Sequence, residues 1–377
     1  MSLPVSRRNF IQLGATGTAA GVLGLVGHAQ QPNSDPVPGL GNRSKSGAEF
    51  INPDTQTAIE RGLDYIARSQ MTDGSFGESG GGATVGITAL AGLALMAGGH
   101  QPGRGKYGKN VTRAVEYVAS MANGPHTGFL TTPGSQAIHR LNSNPSPMYS
   151  HGFGTLFLSE VCGMLPSFGR DSKLRGALEQ AVAFTVFAQN TLGGWRYEPK
   201  VQFADVSVTT AQMMALRAAK NAGVFVSKNV IEHGATYIKG CQMADGGFSY
   251  WKGQGFSAFA RTAASIVGLY SAGIYEGKEV ERGLKYLQQF TPGRQFSPRE
   301  IPPQHYWYGQ YYAALAMWTA GDDYWNAWLP AIRDELLAKA RLGGGTWNDP
   351  YHGGVYATAM ALIVLQLPNN YLPILQK

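Results

Sequence analysis

Cysteine is scarce in this 377-residue chain: there are two, Cys162 and Cys241. That excludes a disulfide framework as the basis of its stability. Charge is scarce as well. Charged residues make up 15% of the chain against 44% hydrophobic ones, which excludes a solvated, disordered polymer and leaves material for a sizeable core. The formal net charge of +7 is not gathered anywhere. Beyond Arg7 and Arg8 the Lys and Arg residues stand singly, so the basic block or stripe of a nucleic-acid-binding protein is missing. Long apolar runs are missing too. The best candidate, near the N-terminus, is rich in glycine and breaks early, which argues against a membrane span.

That first segment does have a pattern. Ser6-Arg7-Arg8-Asn9-Phe10-Ile11 precedes a Gly/Ala-rich apolar run to Gly27, followed by His28 and Ala29. Paired arginines, a mildly apolar stretch and small residues resemble a twin-arginine export signal over residues 1–29, with a chance Arg-Arg before an ordinary secretory signal as the rival. No Cys follows, so no lipoprotein anchor is indicated. Residues 30–47 are rich in Pro, Gly, Ser and Asn and read as a linker. The expectation is an exported, periplasmic or extracellular protein whose domain spans residues 48–377.

Within that domain one unit recurs. Gln70-MTDGSF, Gln189-NTLGGW and Gln242-MADGGF each join a helix-like stretch to a turn that ends in an aromatic residue. Weaker copies place further anchors, giving Phe76, Phe129, Trp195, Phe248, Phe296 and Trp347, at spacings of 53, 66, 53, 48 and 51 residues. Repetition at such a period makes each copy one supersecondary unit. The stretch before each anchor is amphipathic, as where Ile59, Leu63 and Ile66 share a face. The stretch after it is apolar nearly all round, as in "ATVGITALAGLALMAGG". Helices of the first kind belong outside and those of the second inside. Six of each predict an all-α fold, an α6/α6 toroid of two concentric rings. An open solenoid would need polar capping repeats, and the last inner stretch, Tyr356–Leu367, is as apolar as the others. In such a ring Cys162 and Cys241 fall in the second and fourth repeats and should stay unpaired.

The Gln-x-x-x-Gly-x-Trp/Phe element resembles the QW motif of squalene and oxidosqualene cyclases, and the repeats are similar to those of protein prenyltransferase β-subunits. The resemblance covers most of the mature chain. It marks a fold more than an activity, and its residues read as joints: glycines for a tight reversal, the aromatic ring as filling, the Gln amide for carbonyls at helix ends.

Chemistry is expected at the mouth where inner helices begin. Polar and aromatic residues gather there: Tyr149, Ser150 and His151; Asp205, Ser207 and Thr209; Arg261 and Thr262; His305, Tyr306, Trp307 and Tyr308; Asp349, Tyr351, His352 and Tyr356. Of these, His151, Asp205, Arg261, His305, Trp307, Tyr308, His352 and Tyr356 are the candidate ligand-binding residues. Helix N-termini at the mouth favour a polar or anionic group, and Ala, Leu and Met deeper in favour an apolar tail, so an isoprenoid or lipid-like small molecule is the expected partner.

The cyclase resemblance implies an acidic Asp in the middle of a D-x-D-D-T stretch. Here Asp205-Val206-Ser207-Val208-Thr209 offers Ser207 and Val208 instead, and a hydroxyl cannot protonate an alkene. Asp205 reads as a helix N-cap, with Arg261 as a possible ion-pair partner. The prenyltransferase resemblance implies zinc on an Asp-x-Cys pair and a His. Ser207 stands where the thiolate should, and Asp205 and His352 belong to distant repeats, so no metal and no cofactor is assigned. Toroids also host sugar-acting enzymes, for which Trp307, Trp318, Trp325 and Trp328 would be a stacking platform, but the carboxylates Glu160, Glu198, Asp205 and Asp349 show no pairing motif. Whether the chain is catalytic stays open, with Asp205, His352 and Glu160 as candidates. The readings are a non-catalytic toroid with an apolar cavity, an active cyclase or prenyltransferase of altered chemistry, and a polysaccharide-acting enzyme.

Overall fold

An apolar helix buried on every side and an amphipathic one buried on a single side cannot occupy the same layer. In the computed structural model they do not. It describes residues 50–77, 83–132, 147–164, 172–293 and 305–375, all within one unit, Ser44–Lys377. The proposed export signal, the linker and Phe296 lie outside the described residues.

Among the described residues there are twelve α-helices and no strand, only isolated bridges. The helices are α1 (Pro53–Arg68), α2 (Val85–Ala97), α3 (Gly108–Ser120), α4 (Pro147–Met164), α5 (Lys173–Ala188), α6 (Val206–Asn221), α7 (Lys228–Gly240), α8 (Phe259–Ser271), α9 (Lys278–Gln288), α10 (Tyr306–Ala320), α11 (Asp322–Leu342) and α12 (Gly353–Gln366). The odd-numbered helices bury one face: α1 buries Thr55, Ala58, Ile59, Gly62, Leu63 and Ile66 and exposes most of the rest. The even-numbered ones are buried nearly throughout, α2 at every position except Gly86.

The even-numbered helices form a ring. α2 packs on α4, α4 on α6, α6 on α8, α8 on α10, α10 on α12, and α12 returns to α2. Polar contacts seal that last seam: Gln366 Nε2 donates to Ala94 O at 3.1 Å and Asn369 Nδ2 to Ala97 O at 3.2 Å. This is a closed α/α toroid.

The repeated Gln-x-x-x-Gly element builds three of the joints identically. Gln70 Nε2 donates to Gly74 O and Asn110 O, Gln189 Nε2 to Gly193 O and Val230 O, and Gln242 Nε2 to Gly246 O and Glu279 O, all at 2.8–3.0 Å. The acceptors correct the expectation of helix-end carbonyls. One belongs to the turn itself and the other to the first turn of the next outer helix, so each Gln ties its repeat to its successor. The anchors are buried, and their backbone N–H groups donate to an inner-helix threonine: Phe76 to Thr88, Trp195 to Thr209, Phe248 to Thr262 and Trp347 to Thr358. Trp195 lies between the rings, as expected, with its indole N–H on Thr185 O at 2.8 Å. Cys162 and Cys241 are both free.

Gly193 has φ +88°, and a Cβ there would meet His233 O at 2.6 Å. Gly176, inside α5, has nothing within 4 Å of a Cβ. Gly193→Ala is therefore expected to cost at least about 2 kcal/mol, from the left-handed backbone and the overlap. Gly176→Ala should instead stabilise by about 0.4–1 kcal/mol through the unfolded chain. Urea unfolding of both variants checks the pair.

Candidate functional site

The N-terminal ends of the inner helices carry the polar cluster, and α6 sets its centre. Asp205 is its N-cap: Oδ1 accepts from Ser207 N at 2.6 Å and from Val208 N at 3.4 Å. The carboxyl is fully buried, and Oδ2 makes no hydrogen bond. Burial pushes its pKa above the ordinary carboxylate value, opposed by the neighbouring Tyr250 hydroxyl, the Ser207 and Val208 amides and the Tyr197 hydroxyl. Tyr250 itself donates to the Tyr197 hydroxyl at 2.6 Å. Arg261 is not an ion-pair partner. Its Nη2 donates to Phe256 O at 2.8 Å, and its guanidinium lies over the Phe256 ring.

Ser207, at the position where a cyclase would hold its acid, sits beside the Tyr149 and Tyr308 phenols, both driven up in pKa by burial. Tyr149 belongs to α4 and Tyr308 to α10, which face each other across the ring. Their rings meet edge to face with centroids 6.3 Å apart. One turn deeper, Phe153 of α4 and Tyr311 of α10 repeat the contact at 6.3 Å. Both separations are ordinary aromatic contact distances. The axis at these levels is occupied by the protein's own side chains.

Two hollows are described. One, of about 310 Å³, opens beside Asp205 and is lined by Arg196, Tyr197, Glu198, Val201 and Phe203. This is the lower end of the range for small-molecule sites. The other, of about 30 Å³, lies at the far end between α6, α8 and α10, enough for a water or two. Sequence reasoning missed the first hollow. Its residues directly follow the Trp195 anchor, and the available signal was the exposed Phe203 in the connection to α6.

The other candidates are scattered. His151 is fully buried behind the mouth, wedged between Phe129 and Phe184. Its Nδ1 accepts from Leu130 N at 3.2 Å, and Nε2 lies 2.8 Å from Thr185 Oγ1. Since Thr185 donates to Ala181 O, the network assigns the ring proton to Nε2. His151 thus does in the second repeat what threonine does in the first, third, fourth and sixth. Trp307 is buried, with its N–H on Asn348 O. His305 is exposed in a left-handed conformation. His352 stacks edge-on against Tyr356, and its N–H, with that of Tyr351, is capped by Asp349 Oδ1. Glu160 is at the opposite end, where Oε2 accepts from Ile374 N in the C-terminal turn Pro373–Leu375. Trp325 and Trp328 are core residues and form no sugar-stacking face.

The structure thus brings together Asp205, Ser207, Tyr149, Tyr197, Tyr250 and Tyr308, and leaves His151, His305, Trp307 and Glu160 apart. No group of three or more His, Cys, Asp or Glu side chains is placed to hold a metal ion among the described residues. With Ser207 in the thiolate position and Asp205 spent on a cap, the zinc of the prenyltransferases does not fit here.

No protein-family model matches the chain, and no curated protein matches it in sequence. Solved structures do. The type II terpene cyclase MstE from Scytonema aligns with a TM-score of 0.56 and 13% identity, over 85% of this chain and all of that one. Cellobiose 2-epimerase from Bacillus thermoamylovorans aligns at 0.61 and 11%, over 86% and 99%. An inactive variant of an α-1,6-mannanase of Salegentibacter aligns at 0.53 and 10%, over 83% and 98%. What they share with this chain is the α/α toroid fold. At such identities it does not choose between terpene and sugar chemistry.

Burial lowers the His151 pKa to about 3. A neutral, buried histidine stabilises the fold fully above its unfolded value of about 6.5, and that contribution is lost as pH falls toward 3, by up to about 1.4 kcal/mol per pH unit. Urea midpoints from pH 7 to pH 4 should therefore fall less steeply for His151→Gln than for the wild type. Equal slopes would refute this role.

Proposed function

We propose that this chain is a divergent, exported toroid of the terpenoid-cyclase and prenyltransferase type that holds an isoprenoid- or lipid-like molecule at its N-terminal mouth without cyclising it. One observation carries the reading: the residue at the acid position is Ser207, packed against Tyr149 and Tyr308, while the carboxyl beside it, Asp205, caps α6. Protonating an alkene needs a strong acid exposed to the substrate. Asp205 is the reverse, a carboxyl whose pKa is raised by burial.

The ligand class rests on two supports. The mouth combines a buried polar cluster with exposed aromatic and aliphatic side chains, among them Phe203, Trp251 and Phe256. MstE, which shares the fold, is seen with geranylgeranyl dihydroxybenzoate as its substrate, an isoprenoid chain on a polar head. The sugar-acting alternative has weaker support: Glu160 accepts from the C-terminal turn, Asp205 caps α6, Asp349 accepts from amides of the turn before α12, and a hydrolase needs two carboxyls facing one bond.

The test is direct. Purified protein incubated with squalene, oxidosqualene and prenyl diphosphates should yield no cyclic product by gas chromatography, and native mass spectrometry of protein from its own host should show a retained lipid. Asn also caps helices well, so Asp205→Asn should cost less than the roughly 0.5–2 kcal/mol of a lost cap and leave retention unchanged. A cyclic terpenoid made by wild type and lost in Asp205→Asn would make Asp205 the catalytic acid.

Export rests on the Arg7-Arg8 segment. Replacing both with lysine should keep the folded protein in the cytoplasm. Continued export of that variant, with loss in cells lacking the general secretory route, would show the signal to be an ordinary one.

A further inference from the structure

The 310 Å³ hollow beside Asp205 is walled by one polypeptide stretch, the connection from Trp195 to α6, braced by the next repeat. Val206 N donates to Tyr250 O at 3.3 Å, and Tyr250 holds Tyr197 through their hydroxyls. Asn190 Nδ2 donates to Val201 O at 3.1 Å and Lys200 N to Ala188 O at 3.3 Å. The wall is therefore fixed in shape at both ends.

Arg196 is its cation. The guanidinium lies over the Tyr197 ring at 5.6 Å and the Trp251 ring at 5.9 Å. Both are cation–π distances. Among the described residues it makes no hydrogen bond or ion pair, only these ring contacts. An arginine is thus held by its flat faces while all its edge donors, the part that grips an oxyanion with two parallel bonds, are unused. Next to it the hollow turns apolar at Val201 and Phe203, the latter 60% exposed.

We infer that this hollow is the head-group site of an anionic amphiphile, an oxyanion with an apolar chain, held by Arg196 and covered along Val201, Tyr197 and Phe203. The inference rests on the binding function proposed above and names where the ligand lies and what head it carries. The chain of the ligand runs over the mouth, because Tyr149 and Tyr308 close the axis behind it.

Binding of dodecanoate, dodecanol and dodecyl phosphate to the full-length protein tests this, read by tryptophan fluorescence and calorimetry at 0.15 M salt. Dodecanoate should bind at least about tenfold more tightly than dodecanol, the scale of one charge-assisted pair, and dodecyl phosphate should also bind more tightly than the alcohol. Arg196→Met, which keeps the apolar stem, should abolish the preference over the alcohol, and Arg196→Lys should restore part of it. Arg261→Met, with its guanidinium over Phe256, should preserve it. Equal binding of acid and alcohol, or a preference that survives Arg196→Met, would each overturn the inference. Native mass spectrometry separates the two readings. A retained neutral isoprenoid with no dodecanoate preference would sink the head-group site and leave the binding function standing, whereas protein free of any lipid would count against the function itself.

Discussion

Everything in this fold hangs on one recurring problem: the chain must reverse between the two rings in a turn whose tip is exposed but whose glycine and aromatic anchor are buried, where backbone donors and acceptors have little access to water. The solution is a side-chain strap. A glutamine amide joins the carbonyl of its own turn to a carbonyl in the first turn of the next outer helix, and an inner-helix hydroxyl receives the N–H of the aromatic anchor. A buried polar group left unpaired costs about 1–3 kcal/mol, so each strap both satisfies its joint and fixes how one repeat sits on the next. Copies of one rotation then bring α12 back to α2, where Gln366 closes the ring.

The second repeat shows how far the solution bends. With His151 in place of threonine, Leu130 in place of the anchor supplies the N–H, and the same Thr185 that receives the imidazole also offers its carbonyl to the Trp195 indole. Two adjacent joints therefore share one outer-helix residue. A histidine used this way must stay neutral, which removes it from any chemistry at the mouth.

The fold was legible in the sequence because its determinants are local and repeated: glycine in the turn, an aromatic ring after it, and helices alternately apolar on one side and on all sides. The site was less legible, for a geometric reason. Position near a helix start places a residue at the mouth but does not say which way it faces. His151, one turn into α4, points back to Phe129 and Phe184, whereas Tyr149, two residues earlier, faces the axis. The hollow at Arg196 needs a partner from another repeat, since Trp251 and Tyr250 complete it, and that adjacency follows only from the closed ring. The reading of Ser207 needed no knowledge of its neighbours, because a hydroxyl is too weak an acid to protonate an alkene however it is packed.

The account turns on a ring whose centre is closed by opposed aromatic side chains, so that ligands meet the protein at its mouth. A crystal structure of the protein grown with dodecanoate tests this most directly. The account predicts the carboxylate on Arg196, the chain along Val201 and Phe203, and Tyr149 still in contact with Tyr308. An alkyl chain lying between α4 and α10, with those two rings parted, would contradict it.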